Sequence, residues 1–245
     1  MKYIHITFLL FFIGCSSSLP DESLPLADHL KIGMDFLDQG KFVKAQDEFK
    51  FILSRGTGTD YGDDAQFFLA EAYFLNEQYI LSIQEYENLT RKMAFSPFFE
   101  KARFRICEAY RIESPNYYND QSYTEKALER YREFLDDFPE SEHSKTVSES
   151  MSVLRNKLAK KLYETGILYM KMDEFEPARM SFNQVLDLYY DTDIIESVHY
   201  EVIKSYLKQG NDKKARSHWI DKGRDSIKQE KLVLELTEVF SQKEL

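Results

Sequence analysis

The strongest constraint on this chain is a block of small and apolar residues that returns four times after its first appearance. The first block carries Ile32-Gly33, Phe36, Gly40, Phe42, Ala45 and Phe49. The second carries Leu69-Ala70, Tyr73, Tyr79, Ser82 and Tyr86, and its two small residues sit 37 positions after their counterparts, 33 to 70 and 45 to 82. The third begins Ile106-Cys107 and Tyr110, is interrupted by an eight-residue insertion around Ser114 to Tyr123, and resumes at Ala127, Tyr131, Phe134 and Pro139. The fourth has Gly166, Tyr169, Phe175, Ala178, Phe182 and Val185, and the fifth has Tyr206, Gly210, Ala215 and Trp219. Within each block the apolar residues recur three and four apart, the period of a helix with one buried face. Nine Gly and six Pro in 245 residues, with 43% apolar content, exclude disordered and collagen-like chains and argue against a strand-dominated fold.

A small residue on one helix lets a second approach closely, and an aromatic on the second fills the space between neighbouring pairs. In this the blocks resemble the tetratricopeptide repeat. The fold expected is therefore all-α, a superhelix of about five tetratricopeptide-like helical hairpins, more than the roughly three that a solenoid needs. The second-helix small residues at 45, 82, 127, 178 and 215 are separated by 37, 45, 51 and 37 positions. The longest step contains Ser144 to Lys171, which has no Pro and a single Gly, Gly166, and predicts a long helix linking repeats three and four. Repeats one to three are expected over 27–140, repeats four and five over 141–224, and a capping helix and tail over 225–245, with Ile227 to Phe240 covering the last repeat.

The N-terminus reads as a processing signal. Lys2 is followed by an apolar run from Ile6 to Ile13, broken only by Thr7, and then by Gly14-Cys15 and Ser16-Ser17-Ser18. Phe12-Ile13-Gly14-Cys15 resembles a bacterial lipobox, which predicts a lipoprotein signal peptide over 1–14, a lipidated tether over 15–26, and acyl chains, palmitate among them, on Cys15. Each buried CH₂ adds about 0.8 kcal/mol, so two or more chains anchor a protein that does not span the bilayer. With Cys15 modified, Cys107 has no disulfide partner, and its neighbours Ile106, Ala109 and Tyr110 mark it as a small buried helix residue.

No catalytic constellation stands out. His5, His29, His143, His199 and His218 are scattered, and none of the common hydrolase, nucleotide or zinc patterns occurs. The chain reads as a non-enzyme with no metal and no cofactor beyond the covalent lipid. A net charge of −10 argues against general nucleic-acid binding. Repeats of this kind offer a concave face made by their first helices. In repeats one to three its expected lining is Leu30, Met34, Leu37, Phe67, Phe74, Leu75, Lys101, Phe104 and Arg111, an apolar floor ending in positive charge. That combination suits an extended peptide with aromatic side chains and a free carboxylate. In repeats four and five the corresponding face includes Tyr163, Met170, Lys171, Tyr200 and Lys204, with Arg179 nearby, an aromatic and basic surface for an acidic folded partner.

A lipobox, a short tether and five divergent repeats with an insertion in the third together resemble the BamD family of outer membrane protein assembly factors. Tyr131 to Tyr169 carries the likeness furthest. Phe138-Pro139-Glu140-Ser141 closes a repeat, and Val153-Leu154-Arg155-Asn156-Lys157-Leu158-Ala159-Lys160 leads into the next. The family has a similar motif, a leucine and a basic residue before a Leu-Ala-Lys segment. The resemblance implies a lipid-anchored scaffold subunit of the β-barrel assembly machine on the periplasmic face of the outer membrane. It implies that the N-terminal repeats receive unfolded outer membrane proteins, that the C-terminal repeats hold the last POTRA domain of a BamA-like insertase, and that other assembly-machine lipoproteins join them. The family uses an arginine on the second helix of repeat four; here the aligned region has Ser181 with Arg179 beside it. Two rival readings remain, an envelope-coordination adaptor resembling the CpoB family and a solute-binding lipoprotein with a closed aromatic pocket.

Overall fold

The computed structural model describes residues 20–242; the signal segment, Cys15 and residues 16–19 lie outside the described residues. All regular structure among the described residues is helical. Two compact units meet in the sequence between Phe98 and Phe99. The first holds α1 (Leu26–Asp38), α2 (Phe42–Ser54), α3 (Gly62–Leu75) and α4 (Tyr79–Lys92). The second holds α5 (Phe99–Glu113), α6 (Ser122–Asp137), α7 (Ser144–Lys171), α8 (Phe175–Leu188), α9 (Ile195–Lys208) and α10 (Asp212–His218). A π-helical turn at Trp219–Gly223 then leads into α11 (Arg224–Ser226), and α12 (Glu230–Gln242) follows.

Close approach is made where the small residues are. A Cβ placed on Gly33 would lie 2.6 Å from the Phe49 ring, and one on Gly166 would lie 2.3 Å from the Phe182 ring. Phe49 and Phe182 are themselves fully buried, so each hairpin closes on a ring seated against bare backbone. Four hairpins turn through the same left-handed residue, Gly40 (φ 69°), Glu77 (φ 59°), Asp173 (φ 59°) and Gly210 (φ 75°). The next backbone N–H then reaches back five residues, to the carbonyls of Phe36 (2.8 Å), Tyr73 (2.9 Å), Tyr169 (3.0 Å) and Tyr206 (2.8 Å), a Schellman closure. A left-handed residue with a Cβ costs about 1–2 kcal/mol, part of which glycine's greater loss of freedom cancels. Glu77→Gly and Asp173→Gly are therefore each expected to stabilise their hairpins by about 0.5–1 kcal/mol, measured as a rise in urea midpoint at unchanged slope.

Unit boundaries differ from the 140/141 division that the repeats alone predict. The cause is α7, a single helix of 28 residues. Its first half supplies Val147, Leu154 and Leu158 to a core shared with Ala127, Tyr131 and Phe134 of α6. Its second half supplies Ala159 and Met170 to a core with Ala178, Phe182 and Val185 of α8. One rigid element thus joins repeats three and four, and the break falls a repeat earlier. The insertion in repeat three, 114–121, is tied down. Gln121 donates to the carbonyls of Asn116 (2.8 Å) and Asn119 (3.1 Å), and Lys161 of α7 donates to Asn119 (2.8 Å). At the C-terminal end the cap helix is displaced from the expected Ile227 to Phe240, running instead from Glu230 to Gln242, with Ile227 buried ahead of it. The N–H groups of Lys228 and Gln229 both donate to the Glu196 carboxylate (3.0 and 2.9 Å), Ile227 is extended, and the helix starts at Glu230. Leu236 and Phe240 still pack into a core with Ile203 and Ala215.

Candidate functional site

In the first unit the expected groove residues separate into exposed, half-buried and fully buried side chains. Met34 (40% exposed) and Leu75 (42% exposed) are open to solvent. Leu30 and Leu37 are half-buried against the core of Ala45, Phe49 and Leu69. Phe74 is half-buried with its ring edge-on to Tyr79, centroids 5.3 Å apart. Phe67 is not a groove residue: it is fully buried, stacked on Phe98 at 4.4 Å and 11°, with Phe68 and Tyr86 around it. Pro97 precedes Phe98 at the close of the unit, and the Phe98 ring there covers one face of Phe67. Helical spacing identifies the face of α3 but not which of its neighbours covers it.

A polar pair outside the expected set accompanies this core. Tyr86 donates its hydroxyl to Glu71 (2.5 Å), and both side chains are buried. The same pair recurs one repeat on, where Tyr131 donates to Glu108. Burial, followed by the bond to Glu108, pushes the Tyr131 phenol well above its usual range. The signal is visible in the chain. Where the second-helix aromatic is Tyr (86, 131), the residue after the first-helix small residue is Glu (71, 108); where it is Phe (49, 182), that residue is Met34 or Ile167. A buried phenol needs an acceptor and a phenyl ring does not.

In the second unit Lys101 is exposed, and Phe104 is half-buried with its ring stacked on His143 at 4.0 Å and 5°. Arg111 is bound to both oxygens of Glu108 through three hydrogen bonds of 2.7–3.2 Å. Arg111 is joined by a second cation that helical spacing does not bring to it. Lys157 of α7 lies with Arg111 in a cavity of about 240 Å³ whose other walls are Thr146, Glu149, Ser150, Val153 and Leu154. The Lys157 ammonium donates to the Ser114 hydroxyl (2.7 Å) and carbonyl (3.2 Å). Desolvation, with the Arg111 charge beside it, holds Lys157 below the usual lysine range, the state of a cation that would gain from an anion.

The Leu154 to Lys160 segment is a framework. Leu154, Leu158 and Ala159 are core, and Arg155 grips Asp191 (2.6 Å) and the Leu188 carbonyl (2.8 Å). Asn156 accepts from the Asp193 N–H (2.9 Å), and Lys160 lies over the Tyr117 ring.

The expected partner face of repeats four and five is less open than its sequence implies. Met170 is 5% exposed and belongs to the α7–α8 core, since it faces α8 where Lys171 faces solvent. Tyr163 is half-buried near Phe182. Arg179 joins α8 to α9, its guanidinium over Tyr206 at 4.4 Å and donating to Ser205 (3.3 Å) and Gln209 (2.9 Å). Tyr200 donates to Glu235 of α12 (2.5 Å), and Lys204 sits over the Tyr200 ring and 3.4 Å from Glu201. Open apolar surface comes from Leu168, Met172 and Met180, exposed between 57% and 64% on the α7–α8 hairpin. Leu168 and Met172, four residues apart, share one helix face.

Two histidines that the chain separates by 19 positions meet in repeat five: His199 Nδ1 lies 3.0 Å from His218 Nε2. One ring must donate and the other accept, so the two rings cannot both be cationic. Burial, then His199 and Lys222, brings His218 down to about 4, and burial lowers His199 as well. Unfolded, His218 titrates near 6.5. Between those values the unfolded chain holds the extra proton, so the stability that the neutral pair contributes is lost as pH falls from about 6.5 to about 4. Thermal melts from pH 7 to pH 4 should show a smaller acid-induced fall for His218→Gln than for the wild type. Cys107 is inert: burial pushes its thiol up to about 12, and Sγ donates to the Arg103 carbonyl. Among the described residues no group of three His, Cys, Asp or Glu side chains is placed to hold a metal ion, and no helix is long and apolar enough to cross a membrane.

The chain is 25% identical over 214 residues to the outer membrane protein assembly factor BamD of Rickettsia prowazekii (strain Madrid E), covering 84% of this chain and 82% of that one. It is 22% identical to the factor of the same name from Caulobacter vibrioides, covering 83% and 68%. Of solved structures, a tetratricopeptide repeat protein from Parabacteroides merdae superposes with a TM-score of 0.39 at 15% identity, covering 82% of this chain and 68% of that one. The YfiO family, described as outer membrane lipoprotein, matches residues 26–219, from the first residue of α1 to the residue after α10, and the chain with its BamD-like repeats belongs to that family.

Proposed function

We propose that this protein is a lipid-anchored, non-enzymatic scaffold in outer membrane protein assembly, held to the periplasmic face of the outer membrane through Cys15. The observation that carries the reading is the family match across all five repeats, with BamD relatives aligned over most of the chain. In this reading the exposed Met34 and Leu75 of the first unit receive the aromatic side chains of an unfolded outer membrane protein. In the second unit, as a site of its own, the Arg111 and Lys157 cavity takes a terminal carboxylate. The α7–α8 hairpin, with Leu168, Met172, Met180 and Lys171 open, docks a POTRA domain of a BamA-like insertase. Anchoring and several binding surfaces raise local concentration, with no turnover chemistry.

Solubilised outer membranes provide the test: the tagged protein is recovered and its stoichiometric partners identified. A BamA-like barrel with POTRA domains is expected. Tol-Pal or cell-wall synthesis proteins in its place would overturn the assembly reading in favour of an envelope-coordination adaptor. Met34→Ser together with Leu75→Ser removes two part-exposed apolar contacts worth about 0.7 kcal/mol each. The double variant should bind a peptide ending in an aromatic residue about tenfold more weakly, with its urea midpoint unchanged.

A further inference from the structure

One loop of the first unit is built unlike the others. Between α4 and α5 the chain runs Met93-Ala94-Phe95-Ser96-Pro97, and Phe95 is fully exposed. Arg91 and Lys92 immediately precede it. The loop is held in shape from below: Ser96 Oγ donates to Asp63 (3.0 Å) and accepts from the Phe98 N–H (3.2 Å). With Thr57, Gly58 and Thr59 of the α2–α3 loop it surrounds an open cavity of about 420 Å³. Phe95 is thus presented to solvent on a loop that the Ser96 bonds hold in shape.

The same end of the unit receives the N-terminal segment. Arg55, at the close of α2, lies over Phe51 and 3.5 Å from Glu22, two residues before Thr57 in the cavity wall. From Cys15 to Glu22 is seven residues, at most about 25 Å of extended chain. An acyl group on Cys15 would therefore keep this end of the first unit within about 25 Å of the bilayer.

We propose that the Phe95 loop is a second, non-covalent membrane contact, in which the ring enters the interfacial layer of a phospholipid bilayer and Arg91 and Lys92 stand at the level of its phosphates. This rests on the Cys15 anchor of the preceding section. Aromatic rings favour the interfacial layer, and long basic side chains reach headgroups from an apolar footing. The contact is not a broad cationic surface, because Asp60, Asp63 and Asp64 stand on the adjoining loop and helix start. Its role is orientation: the tether supplies proximity, and a weak ring contact then suffices to set which face of the unit points away from the membrane.

The test uses residues 15–245 with Phe95→Trp, coupled through Cys15 to a maleimide phospholipid in phosphatidylethanolamine and phosphatidylglycerol vesicles carrying brominated acyl chains. Buried Cys107 does not compete for coupling. The parent protein, whose single Trp is Trp219, gives the background. Emission from the indole introduced by Phe95→Trp is expected to shift to the blue and to fall to about half by contact with bromine at the interface. Water-like, unquenched emission from that indole on coupled vesicles would overturn the proposal. So would a shift that occurs only on adding the detergent-solubilised assembly partners, which would make the loop a protein contact. The anchor itself is read separately, from the mass of Cys15 in protein extracted from cell membranes; absence of acyl groups there would sink the anchor reading without deciding the vesicle result, because chemical coupling supplies the tether.

Discussion

Phe67→Ala is expected to cost the first unit about 3–5 kcal/mol, the range for removing a fully buried phenyl ring. The ring is stacked on Phe98 and flanked by Phe68 and Tyr86, so its removal leaves a cavity that three other aromatic side chains cannot close without leaving their rotamers. Urea unfolding measures the loss directly. Peptide binding, measured under conditions where the variant is still folded, separates the two roles that this residue could have. An unchanged unfolding midpoint with lost peptide binding would show that Phe67 is a ligand contact after all. Because Phe98 closes the first unit, the variant should also raise amide exchange through α3 and α4 more than through α7 and α8.

Gly166→Ala should also destabilise, by a smaller amount and for the opposite reason. The added methyl would stand 2.3, 2.7 and 2.7 Å from three atoms of the Phe182 ring, closer than carbon atoms pack. Phe182 is fully buried, so its ring has no open side to move toward. Alanine gains about 1 kcal/mol over glycine as a helix former, and overpacking of this kind costs about 1–3 kcal/mol or more. A net loss of about 1–2 kcal/mol is expected, seen as a lower urea midpoint. The cause is checked by adding Phe182→Leu: if the clash is responsible, the second substitution costs less in the Gly166→Ala background than alone, a coupling a double-mutant cycle reads. Equal cost in both backgrounds would place the damage elsewhere in α7.

Much of this architecture is written in local pattern. Gly33 and Gly166 announce close helix approach because nothing but a missing side chain admits Phe49 and Phe182 so near the backbone. The long helix Ser144–Lys171 follows from the absence of any residue able to stop it. The hairpin turns at Gly40 and Gly210 are marked by glycine, whereas those at Glu77 and Asp173 adopt the same left-handed geometry without that mark. Their position is recovered only from the repeat offset, 40 to 77 and 173 to 210.

The candidate surfaces were less legible. Met34 and Leu75 are exposed, while Phe67 and Met170, expected on the same concave face, are core. Helical periodicity specifies an angle around one axis, and exposure depends on which neighbouring helix occupies that angle. Lys157 joins Arg111 across 46 positions because α5 and α7 line one cavity, and His199 meets His218 across 19 because α10 packs on α9. Residue order alone determined that this chain is an array of helical hairpins and where each hairpin closes, since those are matters of backbone freedom and side-chain size within one turn or two. Only the tertiary structure decided which aromatics are buried, which cations share a cavity and that the units divide after Phe98, since each depends on packing between segments far apart in the chain.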